Sequence, residues 1–192
     1  MSDYNIGVAI TAGGHSKRMG KPKAELLRGD GMTFLGYICK EMLPFNKRYL
    51  SLNNKQTYDI KGYENVTDVY EDAGPAGGIF SVLKRAAQDG LDAVLILSCD
   101  MPYYTYADAE KIIKEYSGED ALIPVTNDGH QMLAAIYSVG ILDVLRDNIA
   151  AGNLRLKSIM ADTGCRQFYI KEGRAYSNCN TPPDYETLQG RE

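Results

Sequence analysis

The sequence predicts a three-layer α/β domain on a mainly parallel sheet with at least one antiparallel strand, and three observations predict it. Short apolar runs alternate with stretches whose apolar residues recur at helical spacing. The strongest run, AVLILS at 93–98, is apolar without interruption, as expected of a central strand covered on both faces. Two glycine-rich loops each follow a strand and lead towards a helix. A chain of 192 residues, 44% hydrophobic and 24% charged, is long enough for one domain with a full core, and no linker or internal repeat divides it.

Residues 6–10 (IGVAI) read as a short buried strand, partly β-branched. At Thr11 the character changes. Gly13 and Gly14 let the backbone turn sharply, and five cations follow (Lys17, Arg18, Lys21, Lys23, Arg28), with Glu25 the only acid among them. A strand running into a glycine turn with a dense positive field suits phosphates, held by backbone N–H groups and mobile cations; the competing reading is a surface hairpin with a solvated basic face. Two familiar phosphate motifs are excluded. A Walker loop needs four residues between its glycine and the next Gly-Lys, but Gly14 and Gly20 have five between them and Pro22 follows Lys21. The G-x-G-x-x-G fingerprint is absent as well.

Thr33 is placed to cap a helix over 34–43, with Phe34, Ile38 and Met42 on one face and Pro44 ending it. Residues 48–53 (RYLSLN) read as a second strand, and 66–70 (VTDVY) alternates like a third. The loop from Glu71 to Gly78 precedes a helical period set by Ile79, Val82, Leu83 and Ala86 and closed by Gly90. The run at 93–98 ends in Cys99-Asp100-Met101-Pro102. Ligands of open α/β sheets sit beyond the carboxyl ends of the strands, so Asp100 stands where chemistry is expected. A helix follows at 105–116, then a short strand at 121–125 and a turn at Asn127-Asp128-Gly129. The strand at 132–138 returns after so short a turn that it should be antiparallel. Helices at 141–150 and 155–162, a strand at 166–170 and a last helix opened by Thr181-Pro182 complete the chain, with Asp184 and Glu186 suited to that helix's N-terminal end.

The net charge of −4 argues against a general nucleic-acid binder, and the positive charge gathered at the N-terminal loop fits a small anionic ligand better. Residues 1–5 carry no basic leader, and no apolar run approaches bilayer length, so the expectation is a cytoplasmic protein with no membrane partner. The four cysteines form no C-x-x-C and read as reduced thiols; with two histidines, a zinc site is disfavoured.

From Thr11 to Leu27 the chain resembles the signature of the MobA-like nucleotidyltransferases, roughly L-A-G-G-x-S-x-R-M-G-x-D-K-A-L-L. Here it stands as T-A-G-G-H-S-K-R-M-G-K-P-K-A-E-L-L, with Pro22 for the usual Asp and Glu25 for a small or apolar residue. Four more blocks follow in family order. Glu71-Asp72, Gly74-Pro75 and Gly77-Gly78 are similar to E-D-x-x-x-G-P-L-A-G, with a shorter gap and Ala76-Gly77 for Leu-Ala. Cys99 to Pro102 matches P-C-D-M-P apart from Ser98, and the stretch from His130 to Ser138 resembles H-P-L-x-A-L-Y with Gln131 for Pro. Asn178 to Asp184 resembles N-x-N-T-P-E-D. The resemblance covers the chain from end to end and implies a Rossmann-like nucleotidyltransferase domain over 1–192.

Within the family, the match is closest to the enzymes that guanylylate the molybdenum cofactor. It implies transfer of GMP from GTP to the terminal phosphate of molybdopterin, or Mo-molybdopterin, with release of pyrophosphate. A phosphate attacking an α-phosphorus brings two anions together, so positive charge is the first need, and Lys23 and Arg18 are the candidates to supply it. Nucleotide contacts are expected from Thr11, Ala12, Gly13, Gly14, Lys23, Asp72 and Asp100, with Ser51 or Asn53 reading the base. Asp100 is the expected Mg²⁺ ligand, since that ion takes few protein oxygens and completes its shell with phosphates and water; Asn180 is a second metal or substrate contact. Asp72 is placed for the ribose or the ion's water shell, or else simply caps a turn. Asn178, Asn180 and Arg155 are the acceptor-side candidates, Arg155 alone because Leu154 stands where an Arg-Arg pair is usual. Delivery of such a product implies contact with molybdenum enzymes or their chaperones. Two other readings stay open: a related nucleotidyltransferase using CTP or another acceptor, and a non-enzymatic cofactor-binding module of the same fold.

Overall fold

The apolar run at 93–98 is strand β4 (Ala93–Ser98), and the sheet is built outward from it. Leu95, Ile96 and Leu97 are fully buried, and each such side chain contributes about 1.5–3 kcal/mol by leaving water, which favours the doubly covered centre of the sheet. The computed structural model describes residues 4–13, 22–54, 56–161, 163–171 and 173–189. On one side of β4, β1 (Ile6–Thr11), β2 (Arg48–Leu52) and β3 (Glu64–Thr67) follow in parallel. On the other, β7 (Ala134–Ser138) runs antiparallel to β4 and to the start of β5 (Ala121–Thr126). The two-residue β6 (Gly129–His130) pairs with the end of β5, and β8 (Cys165–Tyr169) lies parallel along β5. The order is β3-β2-β1-β4-β7-β5-β6, with β8 on β5, the mainly parallel sheet with an antiparallel strand that the sequence predicts.

Alternate residues serve opposite layers, as a two-residue period demands. Val8, Ile10, Leu50, Leu52, Leu95 and Leu97 pack with α1 (Phe34–Glu41) and α3 (Tyr106–Glu115). Ala9, Tyr49, Val94 and Ile96 pack with α2 (Gly74–Gln88), α4 (Leu142–Ala150) and α5 (Leu156–Ala161). A last helix, α6 (Pro182–Gln189), sets Leu188 beside Leu26, Phe34 and Cys179. The expected cap of α1 is present: Thr33 Oγ accepts from Gly36 N at 3.0 Å. At α6 Asp184 Oδ2 accepts from the N–H groups of Asn180 and Thr181, at 2.9 and 2.8 Å. Among the described residues no helix is long and apolar enough to cross a membrane.

Three boundaries that differ from the sequence reading shape the cavity beyond the strands' carboxyl ends. The third strand ends at Thr67 rather than 70, because Val69 N donates to Ser81 Oγ and leaves the ladder. Asp68 is therefore the first residue past a strand end, not a position within one. The helix expected from Ile79 begins at Gly74, since Pro75 is preorganised for a first turn and the following glycines bring the helix onto the sheet. A Cβ at Gly78 would lie 2.9 Å from Ser51 Oγ, so glycine there permits the approach. The antiparallel strand starts at Ala134 rather than 132, and Leu133 instead gives its carbonyl to Ser98 N at 2.8 Å.

Candidate active site

The four parallel strands end level with one another. Thr11 is in register with Ser51 on one side and Ser98 on the other, so their carboxyl ends open onto a common rim. Beyond it lies a cavity of about 420 Å³, lined by Thr11, Ala12 and Gly13 after β1 and by Ser51, Leu52 and Asn53 at the end of β2. Asp68, Asp72, Gly74, Pro75 and Gly78 line its α2 side, and Ser98, Cys99, Asp100, Leu133, Lys23 and Ala24 complete it. Four strands about 4.8 Å apart set its two ends, Asp68 after β3 and Asp100 after β4, roughly 14 Å from each other.

Lys23 reaches this rim from a single 3₁₀ turn, Lys23–Glu25, which buried Ala24 anchors in the core. Its Nζ donates to Asp100 Oδ2 at 2.6 Å and to Asn180 Oδ1 at 2.5 Å. Three segments remote in sequence thus converge on one ammonium. Asp100 is held by the backbone: Cys99 N donates to Thr11 O at 3.2 Å, extending the sheet, and Cys179 N donates to Asp100 O at 2.9 Å. The residue is 7% exposed, and its second oxygen, Oδ1, is buried without a hydrogen-bond partner among the described residues. An orphaned carboxylate oxygen is costly unless a ligand or ion meets it. With the Asn180 amide oxygen on the same ammonium, hard oxygens already surround one cation, and the donor set fits Mg²⁺ sharing its shell with phosphates. No group of three or more His, Cys, Asp or Glu that would hold a metal by itself occurs among the described residues.

At the cavity's other end Asn53 Nδ2 donates to Gly13 O at 2.7 Å, tying the β1 loop to the end of β2. A Cβ on Gly13 would stand 2.7 Å from Asn53 N, so that contact requires glycine. Ser51 is 4% exposed and lies beneath α2, whereas Asn53 sits at the rim; both line the cavity. Ala12 lines it too, but its N–H donates to Ser51 O at 3.0 Å and is taken by the sheet, which removes one backbone donor expected for phosphate. Asp72 lines the cavity at φ 54°, a left-handed conformation that a short polar side chain tolerates.

The residue the sequence reading passed over is Asp68. Burial pushes its carboxyl up to about 6, and its Oδ1 is shut from solvent without a hydrogen-bond partner among the described residues. The usable signal is position: Asp68 is an aspartate just past a strand that runs parallel to β2, and it precedes the Gly74-Pro75 loop. The Cys99 thiol, pushed up to about 12 by burial, is an inert lining group.

Other expected site residues stand apart. Asn178 lines a separate cavity of about 230 Å³ with Pro102, Tyr103, Arg174 and Cys179, adjoining the Asp100 and Asn180 segments. Arg155 is exposed just before α5 and lines neither cavity. Gly14 and Arg18 lie outside the described residues.

Residues 8–167 match the family model described as the MobA-like NTP transferase domain. A protein of Flavobacterium johnsoniae named probable molybdenum cofactor guanylyltransferase is 26% identical over 182 residues, covering 93% of this chain and 94% of that one. The crystal structure of molybdopterin-guanine dinucleotide biosynthesis protein A from Archaeoglobus fulgidus superposes with a TM-score of 0.82 at 22% identity, over 96% and 97% of the two chains. The 2-C-methyl-D-erythritol 4-phosphate cytidylyltransferase of Thermus thermophilus shares the fold, with a TM-score of 0.71 at 14% identity over 97% and 98%.

Proposed function

The chain belongs to the MobA-like NTP transferase family, and from that premise we propose that it transfers GMP from GTP to the terminal phosphate of molybdopterin or Mo-molybdopterin, releasing pyrophosphate. It is a nucleotidyltransferase, and relatives that match it over most of its length are named for guanylyl transfer to the molybdenum cofactor. The observation that carries the reading is the convergence of Lys23, Asp100 and Asn180 at one end of a cavity whose other end holds Asp68, Ser51 and Asn53.

In the reaction an oxygen of the acceptor phosphate attacks the α-phosphorus of GTP. The bond from that phosphorus to the oxygen bridging the β-phosphate breaks, and pyrophosphate leaves with the electron pair. Lys23 exchanges its carboxylate partner for phosphate oxygens, so its charge meets the anion that forms between the two phosphates. Asp100 and Asn180 are the residues that would hold Mg²⁺, whose charge would offset that of the phosphates. Arg18, in the same loop, is a second cation for them, and Gly14 a further contact of the glycine turn.

The buried face of Asp68 favours guanine. Guanine offers adjacent N1–H and N2–H donors to a carboxylate, while cytosine offers one amine beside an acceptor. Ser51 and Asn53 are neighbours positioned to meet the remaining edge, and Asp72 the ribose or the ion's water shell. Asn178 and its small cavity lie on the acceptor side; Arg155 belongs there only if the acceptor extends well beyond the rim. On this reading 1–192 acts as one domain in the cytoplasm and hands its product to molybdenum enzymes or their chaperones. The test is turnover with Mg²⁺, molybdopterin and each of GTP, ATP and CTP, reading pyrophosphate and the dinucleotide. GTP should lead by about a hundredfold, two unpaired buried groups costing about 1–3 kcal/mol each. A preference for CTP would move the chain to the cytidylyl branch of the fold, and the absence of turnover with all three would favour a binding module.

A further inference from the structure

We propose that Arg28 is a positioning residue that clasps the lysine-bearing loop to the aspartate-bearing loop and thereby sets the cation-binding face of Asp100. The inference rests on the reading of Asp100 as a cation ligand. Arg28 belongs to a tight hairpin that follows the Lys23 turn: Arg28 N donates to Met32 O at 2.8 Å, Phe34 N to Leu26 O at 2.8 Å, and Leu27 bridges Thr33. From this fixed base its side chain, 12% exposed, crosses to the other loop. The guanidinium lies 3.6 Å over the Tyr37 ring, Nε is 3.3 Å from Asp30 Oδ2, and Nη1 donates to the carbonyl of Pro102.

Pro102 is the second residue after Asp100. The backbone around the carboxylate is thus held before it by Thr11, at it by Cys179 and after it by Arg28. Only the last of these ties runs directly to the hairpin that follows Lys23. Pro102 has no N–H with which to enter a ladder, so a donor to its carbonyl is the anchor the segment can take. Arginine suits the task because its planar fork stacks on a ring and donates in two directions at once; a lysine ammonium does neither well. Arg28 is not among the residues that line the nucleotide cavity, and the tie to Pro102 gives it a route to the placement of Asp100.

The experiment is calorimetry of GTP binding to the full chain with Mg²⁺ and with EDTA, for wild type, Arg28→Ala and Arg28→Lys. The quantity read is the ratio of the two Kd values, the gain in affinity that the metal confers. Loss of a charge-assisted clasp should cut that ratio about tenfold in both variants while the Kd in EDTA changes less than about twofold. Methylguanidinium added to Arg28→Ala should restore the ratio, and should not restore it in Arg28→Lys, whose own side chain fills the site. Equal weakening with and without Mg²⁺ would make Arg28 a packing residue and overturn the proposal, as would an unchanged ratio. Should Arg28→Ala fail to fold, Arg28→Lys decides by the same ratio. A wild-type ratio of one would instead overturn the cation reading of Asp100, an outcome distinct from failure of the clasp.

Discussion

Lys23 and Asp100 stand 77 residues apart in the chain, and the lysine ammonium lies 2.6 Å from one carboxylate oxygen while also holding the amide oxygen of Asn180. The pair is partly shielded, with 20% and 11% of the two side chains exposed. It sets a cation and an anion at one end of the cavity, each compensating the other; on the proposed mechanism, phosphates would take the first and a metal ion the second. The proposed exchange makes the two residues separable by experiment, since it assigns the nucleotide's oxygens to one and the ion to the other.

Lys23→Ala removes the charge proposed to meet the phosphates. Turnover should fall by about a hundredfold or more, the usual cost of deleting a preorganised charge aimed at a transition state. The fold should persist, because Lys23 sits in a short surface turn whose packing contact is Ala24. Steady-state kinetics at saturating GTP, with circular dichroism as the control for folding, measures both. Wild-type turnover in this variant would remove Lys23 from the mechanism.

Asp100→Asn keeps shape and replaces a carboxylate by a neutral amide, a poor ligand for Mg²⁺. The expected outcome is a fall in kcat of orders of magnitude and a metal requirement shifted to higher concentration. Manganese soaked into crystals with GTP should lie against Asp100 in the wild type. A metal bound far from Asp100 would sink the assignment.

Gly78→Ala tests the wall of the proposed base pocket. In an ordinary helix interior the change stabilises by about 0.8–1.0 kcal/mol, but added atoms in a packed site cost about 1–3 kcal/mol. Here the new methyl would stand 2.9 Å from Ser51 Oγ and 3.5 Å from Asp68 Oδ1. The Ser51 hydroxyl can rotate aside, so thermal stability should change little while the pocket narrows and GTP affinity drops. A thermal melt and a GTP titration on one preparation would check this; unchanged affinity would place the base elsewhere in the cavity.

Much of this site was legible from local chemistry. Asp100 follows from five contiguous apolar residues, Ala93 to Leu97, that need a central strand, since the residues just past such a strand stand at the ligand edge. Lys23 followed from a strand, a glycine turn and a cluster of cations. Asp68 was hidden because VTDVY alternates well enough to pass for a complete strand, and only the bond from Val69 N to Ser81 Oγ, twelve residues on, cuts it short. The early start of α2 was obscured for a related reason: Gly74-Pro75 punctuates a loop as well as it opens a helix, and the choice depends on a sheet surface that accepts glycine. Arg28 read as one more loop cation because its partner, the Pro102 carbonyl, has no signature in sequence.

The pH dependence of nucleotide binding should report on Asp68. Its carboxyl is pushed up to about 6 by burial, above the ordinary carboxylate range, so the folded chain holds the proton more tightly than the unfolded chain. Its contribution to stability is therefore fully present below the unfolded carboxylate range and is lost as pH rises through about 6. Guanine binding runs the other way. The carboxylate form can accept both N1–H and N2–H, while the acid form must turn a donor towards a donor, so GTP affinity should rise as pH climbs from 5 to 7.5. The nucleotide's terminal phosphate also titrates near this range, which makes Asp68→Asn the necessary baseline. That variant should bind GTP about tenfold or more weakly at pH 7.5, as expected for a lost hydrogen bond to a charged acceptor, and should keep only the slope due to phosphate. Calorimetry at pH 5, 6 and 7.5 on both proteins gives the comparison. Identical slopes would mean that Asp68 does not meet the base and would return its recognition to Ser51 and Asn53.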